Sequence, residues 1–200
     1  MEHIAIPKIR VMTLEQILKS REARVARQRE LLEAGSGLTL VCLTVQPPGP
    51  VKRSEASLVV AEAGVEAVRK SFRVEIEELR DLETGFEAFF MVDLAPLETK
   101  RISCTIEDTH PLGRLMDIDA IVPAGAAVDS AQSRGGAKES DISDAAEGMV
   151  RPLSREEIGL EPRKCLLCDR PARECMRART HSIQELLEKY KEIVDVYLKS

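Results

Sequence analysis

Residues 113–122, "GRLMDIDAIV", carry the period that decides how this chain folds. Side chains on a strand alternate between faces, so Leu115, Asp117 and Asp119 share one side and Met116, Ile118 and Ala120 the other. The second set can pack into a core, and the first brings two carboxylates together. Neighbouring carboxylates repel unless a cation lies between them, and oxygen-coordinated Mg²⁺ is a common resolution. Gly113 would let a phosphate approach the backbone, and Arg114 would pair with it. The plainer reading of D-x-D is a solvated strand face.

Outward from this strand, "LTLVCLTV" (38–45) is short, apolar and β-branched, and reads as a buried strand. "FRVEIEEL" (72–79) and "FEAFFMVDL" (86–94) read as two strands about the polar turn "RDLETG". "TKRISCTIE" (99–107) is expected to be a further strand, pairing with 113–122 across "DTHPLG". The clearest helix is "TLEQILKSREARVARQRELLEAG" (13–35), with Thr13 and Gln16 as a capping box and Gly35 or Gly37 as its stop. Its stripe at 14, 18, 21, 25, 28 and 32 would turn Arg21 and Gln28 inward, either snorkelling at the margin or pointing into a polar cavity. "SEASLVVAEAGVEAVRKSF" (54–72) reads as a second helix, and Ser182 with Glu185 caps a final one. The expected class is α+β, a mixed or antiparallel sheet with flanking helices and a C-terminal helix.

Two hundred residues suit one domain over 1–200, able to bury about 70% of its unfolded surface. Residues 123–150, rich in Ala, Gly, Ser and Asp without an aliphatic period, read as a flexible surface insertion. Aromatics make up only 3% and Trp is absent, so the core must be aliphatic. A net charge of −5 argues against a nonspecific nucleic-acid binder. No run of eighteen apolar residues spans a membrane. Five cysteines without a secretory opening point to free or metal-bound thiols in the cytoplasm.

Two further stretches carry chemistry. In "PGPVKRS" (48–54), Pro48 and Pro50 stiffen the backbone about Gly49 and present amides and Lys52 to an anion, or simply turn the chain out of a strand. In "RKCLLCDRPARECMRARTHS" (163–182), Cys165, Cys168, Cys175 and His181 have spacings that suit zinc. The same stretch carries Arg163, Lys164, Arg170, Arg173, Arg177 and Arg179, which equally suit a polyphosphate. Buried thiols without a metal are the third reading.

Taken in order, "REARVARQ", "PGPVK", "EDTHPLGRLMDID", "RKCLLC" and "ARECMRARTHS" resemble the apo-citrate lyase phosphoribosyl-dephospho-CoA transferase family, also called holo-citrate lyase acyl-carrier-protein synthase, over about residues 13–195. The resemblance implies a nucleotidyltransferase-like fold and chemistry. Its substrate would be 2'-(5''-triphosphoribosyl)-3'-dephospho-CoA and its acceptor a serine of the citrate lyase acyl carrier (gamma) subunit, with pyrophosphate leaving. It further implies Asp117 and Asp119 as Mg²⁺ ligands and catalytic residues, with His110 as a candidate acid or base. Arg114, Gly113, Lys52, Gly49, Arg21, Gln28, Arg177 and Arg179 would meet the substrate. Zinc on Cys165, Cys168, Cys175 and His181 would be structural. The chain departs from the family pattern at Met116, where an aromatic is usual, and at the segment 123–150. Two other readings stand beside this one: the same chemistry on a carrier of malonate decarboxylase type, and a noncatalytic zinc-knuckle interaction module.

Overall fold

Every residue of β1 (Thr39–Val45) is buried, and that burial on both faces puts it at the centre of the sheet. The computed structural model describes residues 12–45, 47–126 and 149–200. Around β1 lie β2 (Val74–Leu82), β3 (Gly85–Val92), β4 (Met116–Pro123) and β5 (Val150–Pro152), in the order β2-β3-β1-β4-β5. All neighbouring pairs are antiparallel, and Leu43 sits opposite Ala88 on one side and Ile118 on the other. The architecture is therefore α+β, and the sheet is antiparallel rather than mixed.

Helices cover both faces. Val41, Leu43, Val45, Phe90, Met116 and Ile118 pack against α2 (Glu55–Ser71) and α5 (Ile183–Tyr197). A Cβ on Gly64 of α2 would stand 2.9 Å from a Leu43 methyl, so the glycine lets the helix settle onto β1. On the other face, Leu40, Cys42, Phe89, Met91 and Ile121 pack against Leu31 of α1 (Leu14–Ala34). The capping boxes of α1 and α5 form as their sequences predict. Among the described residues, no helix is long and apolar enough to cross a membrane.

One expectation is corrected and a second is refined. Residues 99–107 are not a strand but lie within α3 (Pro96–Thr109), opened by Pro96 in its first turn. Ile102, Cys104 and Ile106 alternate as a strand would, which is what misleads. The face actually buried is Thr99, Lys100, Ser103, Cys104, Ile106 and Glu107, a helical spacing made mostly of polar groups and therefore silent in a hydrophobicity pattern. The stripe of α1 keeps its inward side, with Leu14, Leu18 and Arg21 at a cavity, but is less buried than its period suggests. Gln28 and Leu31 are buried, whereas Leu14, Leu18 and Val25 are 72%, 47% and 36% exposed. Only the last turn of α1 reaches the apolar core; its earlier turns stand over a polar cavity.

The segment 123–150 lies mostly outside the described residues. Its described ends meet, Pro123 pairing with Val150 across β4 and β5.

Leu43 is fully buried at the crossing of β1 and α2. Leu43→Ala should lower stability by about 3 kcal/mol, read as a reduced urea midpoint with an unchanged slope.

Candidate active site

The strand β4 has an incomplete neighbour. β5 pairs only with Ile121–Pro123, so among the described residues the outer edge around Asp117 has no strand beside it. Side chains complete that edge. Arg163 Nη2 donates to the Met116 carbonyl at 2.7 Å and to that of Gly113 at 3.0 Å. Glu107 Oε1 accepts the Ile118 amide at 2.8 Å, and the Leu153 amide donates to the Ala120 carbonyl at 2.8 Å. Buried backbone groups need such partners.

On β4, Met116, Ile118 and Ala120 are buried while Asp117 and Asp119 are half-open on the opposite face, the alternation the sequence predicts. Lys100 Nζ, only 5% exposed, donates to Asp119 Oδ1 at 2.9 Å. Burial alone would lower the Lys100 pKa, but Asp119 outweighs it and holds the ammonium above its usual range. Arg155 forks onto Asp108 at 2.7 and 3.1 Å and reaches Glu107 Oε2 at 3.0 Å. Among the described residues Asp117 has no such direct partner, its nearest cation there being Arg163 Nη1 at 3.8 Å, which is also 3.9 Å from Glu107. Burial, then repulsion from Asp119 and Glu107, pushes the Asp117 carboxyl up to about 6, although half of its side-chain surface is open. Negative charge at this point is under-compensated, and a divalent cation would relieve it.

On the same sheet face, one strand away from the carboxylates, lies a cavity of about 290 Å³ whose wall combines Arg21, Arg24, Lys52, Glu87 and Thr44 with apolar side chains of α1. Thr44 is the cross-strand partner of Asp117 and so links the cavity to the carboxylates. Arg24 is drawn to Glu87 at 3.5 Å. Lys52 Nζ donates to the Pro47 carbonyl at 2.8 Å, and burial followed by the proximity of Arg21 holds it below the usual lysine value. Gly49, also at the cavity wall, has φ +77°, and a Cβ there would meet Ile183 of α5 at 3.2 Å. Gln28 is buried against Cys42 rather than at the cavity wall.

The remaining sequence candidates fall elsewhere. His110 caps α3, its Nδ1 accepts the Leu112 amide at 3.0 Å, and its ring lies 5.9 Å from that of Tyr197 on the α5 side of the sheet. Burial lowers its pKa against the pull of Glu66. A Cβ on Gly113 would come 2.5 Å from the Ile106 carbonyl, so the missing side chain lets the corner close onto α3. Arg114 donates to the carbonyls of Lys164 and Cys165, each at 2.8 Å. Arg177 and Arg179 are exposed on and just after α4 (Ala172–Ala178). Lys100, Glu107 and Arg155 were missed, because their roles depend on reading 96–109 as a helix; the i, i+7 spacing of Lys100 and Glu107 was the available signal.

Cys165, Cys168, Cys175 and His181 converge, with their candidate ligand atoms all within 4.8 Å of one another. A bridge between Lys164 and Pro171 closes the first turn, and the Cys165 amide donates to the Arg170 carbonyl at 2.7 Å. Cys175 stands on α4, and the left-handed Arg179 (φ 48°) returns the chain to His181. Cys168 Sγ lies 3.5 Å from Cys175 Sγ and 3.4 Å from His181 Nε2. Tetrahedral zinc would set these edges at about 3.8 and about 3.6 Å, whereas a disulfide needs about 2.05 Å. The Arg170 amide and then His181 lower the Cys168 thiol to about 6, so the thiolate that a metal takes is favoured.

A family model described as apo-citrate lyase phosphoribosyl-dephospho-CoA transferase matches residues 12–139 and 135–197. A probable apo-citrate lyase phosphoribosyl-dephospho-CoA transferase of Vibrio cholerae serotype O1 (strain M66-2) is 36% identical over 193 residues, covering 93% of either chain. An apo-citrate lyase phosphoribosyl-dephospho-CoA transferase of Escherichia coli O1:K1 is 30% identical over 189 residues, covering 92% of this chain and 89% of its own.

Glu107 is buried between the Ile118 amide and Arg155. Glu107→Gln keeps the shape but leaves Arg155 facing an amide. Arg155 keeps its fork onto Asp108, so the loss should be about 2 kcal/mol, read by chemical denaturation and smaller than that of Leu43→Ala.

Proposed function

The chain belongs to the apo-citrate lyase phosphoribosyl-dephospho-CoA transferase family, and from that membership we propose the reaction and the residues that carry it. The enzyme moves the phosphoribosyl-dephospho-CoA group from 2'-(5''-triphosphoribosyl)-3'-dephospho-CoA to a serine of the apo citrate lyase acyl carrier subunit. The serine oxygen bonds to the α-phosphorus, the bond to the β-phosphate breaks, and pyrophosphate leaves. We read the domain as one unit over 1–200, nucleotidyltransferase-like and cytoplasmic.

The observation that carries this reading is the adjacency of an under-compensated carboxylate, Asp117, to a cation-lined cavity through Thr44. Lys52 and Arg21 receive the triphosphate in that cavity, where low-dielectric walls strengthen their pull. Lys100 fixes the rotamer of Asp119 by the 2.9 Å bond. Asp117 and Asp119 together would hold Mg²⁺, which would supply positive charge to the phosphate oxygens and the leaving group. The Asp117 oxygen that such a metal leaves free would accept the serine proton. His110, on the α5 side of the sheet, takes no step here. Structural Zn²⁺ on Cys165, Cys168, Cys175 and His181 fits the donor set and its spacing.

Incubation with the triphosphoribosyl precursor, Mg²⁺ and apo carrier should add the prosthetic group, seen as a mass gain on the carrier and release of pyrophosphate. No mass gain with any divalent metal would overturn the reading. Asp117→Asn should abolish transfer with its melting temperature close to that of the parent. Asp119→Asn should also lose about 3 kcal/mol of stability, because it orphans the buried Lys100 ammonium. Metal analysis of the purified protein should find one zinc per chain.

A further inference from the structure

The Cys/His cluster and the carboxylate site exchange arginines. Arg163 lies two residues before Cys165, yet its guanidinium leaves the cluster and bonds the carbonyls of Gly113 and Met116 at 3.0 and 2.7 Å. Arg114 lies between those two residues and returns the bond, donating to the carbonyls of Lys164 and Cys165 at 2.8 Å each. Each arginine therefore satisfies two carbonyls of the other segment. A guanidinium is suited to this because its donors form a rigid planar fork.

The place where Arg163 lands matters. Met116 is the first residue of β4 and precedes Asp117 directly, on the edge that β5 does not cover. Arg163 Nη1 also stands 3.8 Å from Asp117 and 3.9 Å from Glu107. Arg163 thus takes the place of a missing strand at Met116, as Glu107 does at Ile118. The turn that carries Arg163 is closed by the Lys164–Pro171 bridge, whose two hydrogen bonds run from the Cys165 amide to the Arg170 carbonyl at 2.7 Å and from the Ala172 amide to the Arg163 carbonyl at 2.8 Å. Two bridge hydrogen bonds, the short helix α4 and the partial packing of Leu166 on the core are little to hold the loop that carries four potential ligands. A bound metal would fix it far better, since ligation of a small loop contributes directly to its folding.

We infer that metal bound at Cys165, Cys168, Cys175 and His181 sets the position of Asp117, with Arg163 and Arg114 as the reciprocal clamp that transmits it. Arg163 is a positioning residue; it acts through the backbone of Met116. Loss of the metal frees the 163–182 segment, withdraws Arg163, and leaves the edge of β4 from 113 to 119 without its donor. The inference rests on the transferase reading only in calling Asp117 catalytic.

The test uses the full-length protein and follows amide hydrogen exchange and transfer together. Zinc is withdrawn with a chelator and then restored. Exchange at 113–119 should rise about tenfold on withdrawal and return on restoration, while the β2–β3 hairpin stays unchanged as the internal control. Unchanged exchange at 113–119 overturns the inference. Arg163→Gln in the zinc-loaded protein should lose roughly 10–100-fold in kcat, with zinc content and the KM for the precursor unchanged. Arg163→Lys keeps the charge but not the fork, and should recover only part of that loss. Full activity in Arg163→Lys or Arg163→Gln overturns the clamp. Zinc-dependent exchange at 113–119 without any transfer supports the coupling and sinks the transferase reading. Transfer indifferent to zinc and to Arg163 sinks the coupling and leaves the transferase reading in place.

Discussion

The amide of Ile118 points out of the sheet at an edge that no strand of the described residues reaches, and the Glu107 carboxylate meets it at 2.8 Å. Much of the site follows from that contact. A buried carboxylate next to Asp117 and Asp119 is tolerable only with cations nearby, which Arg155, Lys100 and Arg163 supply from three different segments. The edge is closed without a strand, so Asp117 stays half-open where it would otherwise be covered. The same geometry raises its pKa and makes the point receptive to a cation.

The two faces of the sheet do different work. The face toward α2 and α5 is aliphatic and tightly packed, with Gly64 letting the helix sit close on Leu43. The face toward α1 is apolar only around Leu31, and beyond it carries Arg24, Glu87, Thr44 and the two aspartates. One dense face contributes most of the hydrophobic stability, which leaves the other free to hold charge and a cavity. The PGPVK turn closes that cavity and leans on the start of α5, so the C-terminal helix also supports the anion-facing loop.

Much of this was readable residue by residue. The alternation in "MDIDAIV" gave β4, its buried face and its paired carboxylates correctly, because a period of two leaves no other register for three apolar side chains. The capping boxes at Thr13 and Ser182 marked their helix starts, since these hydrogen bonds are local. Cys165, Cys168, Cys175 and His181 were legible as a set and do converge. The helix α3 was not legible, because its buried face holds Lys100, Ser103 and Glu107, and no hydrophobicity pattern marks a helix whose inner side is polar. The orientation of α1 was legible, with Arg21 at a cavity and Gln28 buried, but not the exposure of Leu14, Leu18 and Val25, because a period gives a face and not what covers it.

Sequence by itself therefore determined what depends on near neighbours: strand alternation, helix caps, a short-range ligand cluster and the ordered motifs of the family. Tertiary structure alone decided which charges meet. Lys100 reaches Asp119 across nineteen residues, Arg155 reaches Glu107 across forty-eight, and Arg163 reaches Met116 across forty-seven. Those pairings depend on which edge of the sheet is left open. That edge is fixed by strand order, and no local period encodes strand order.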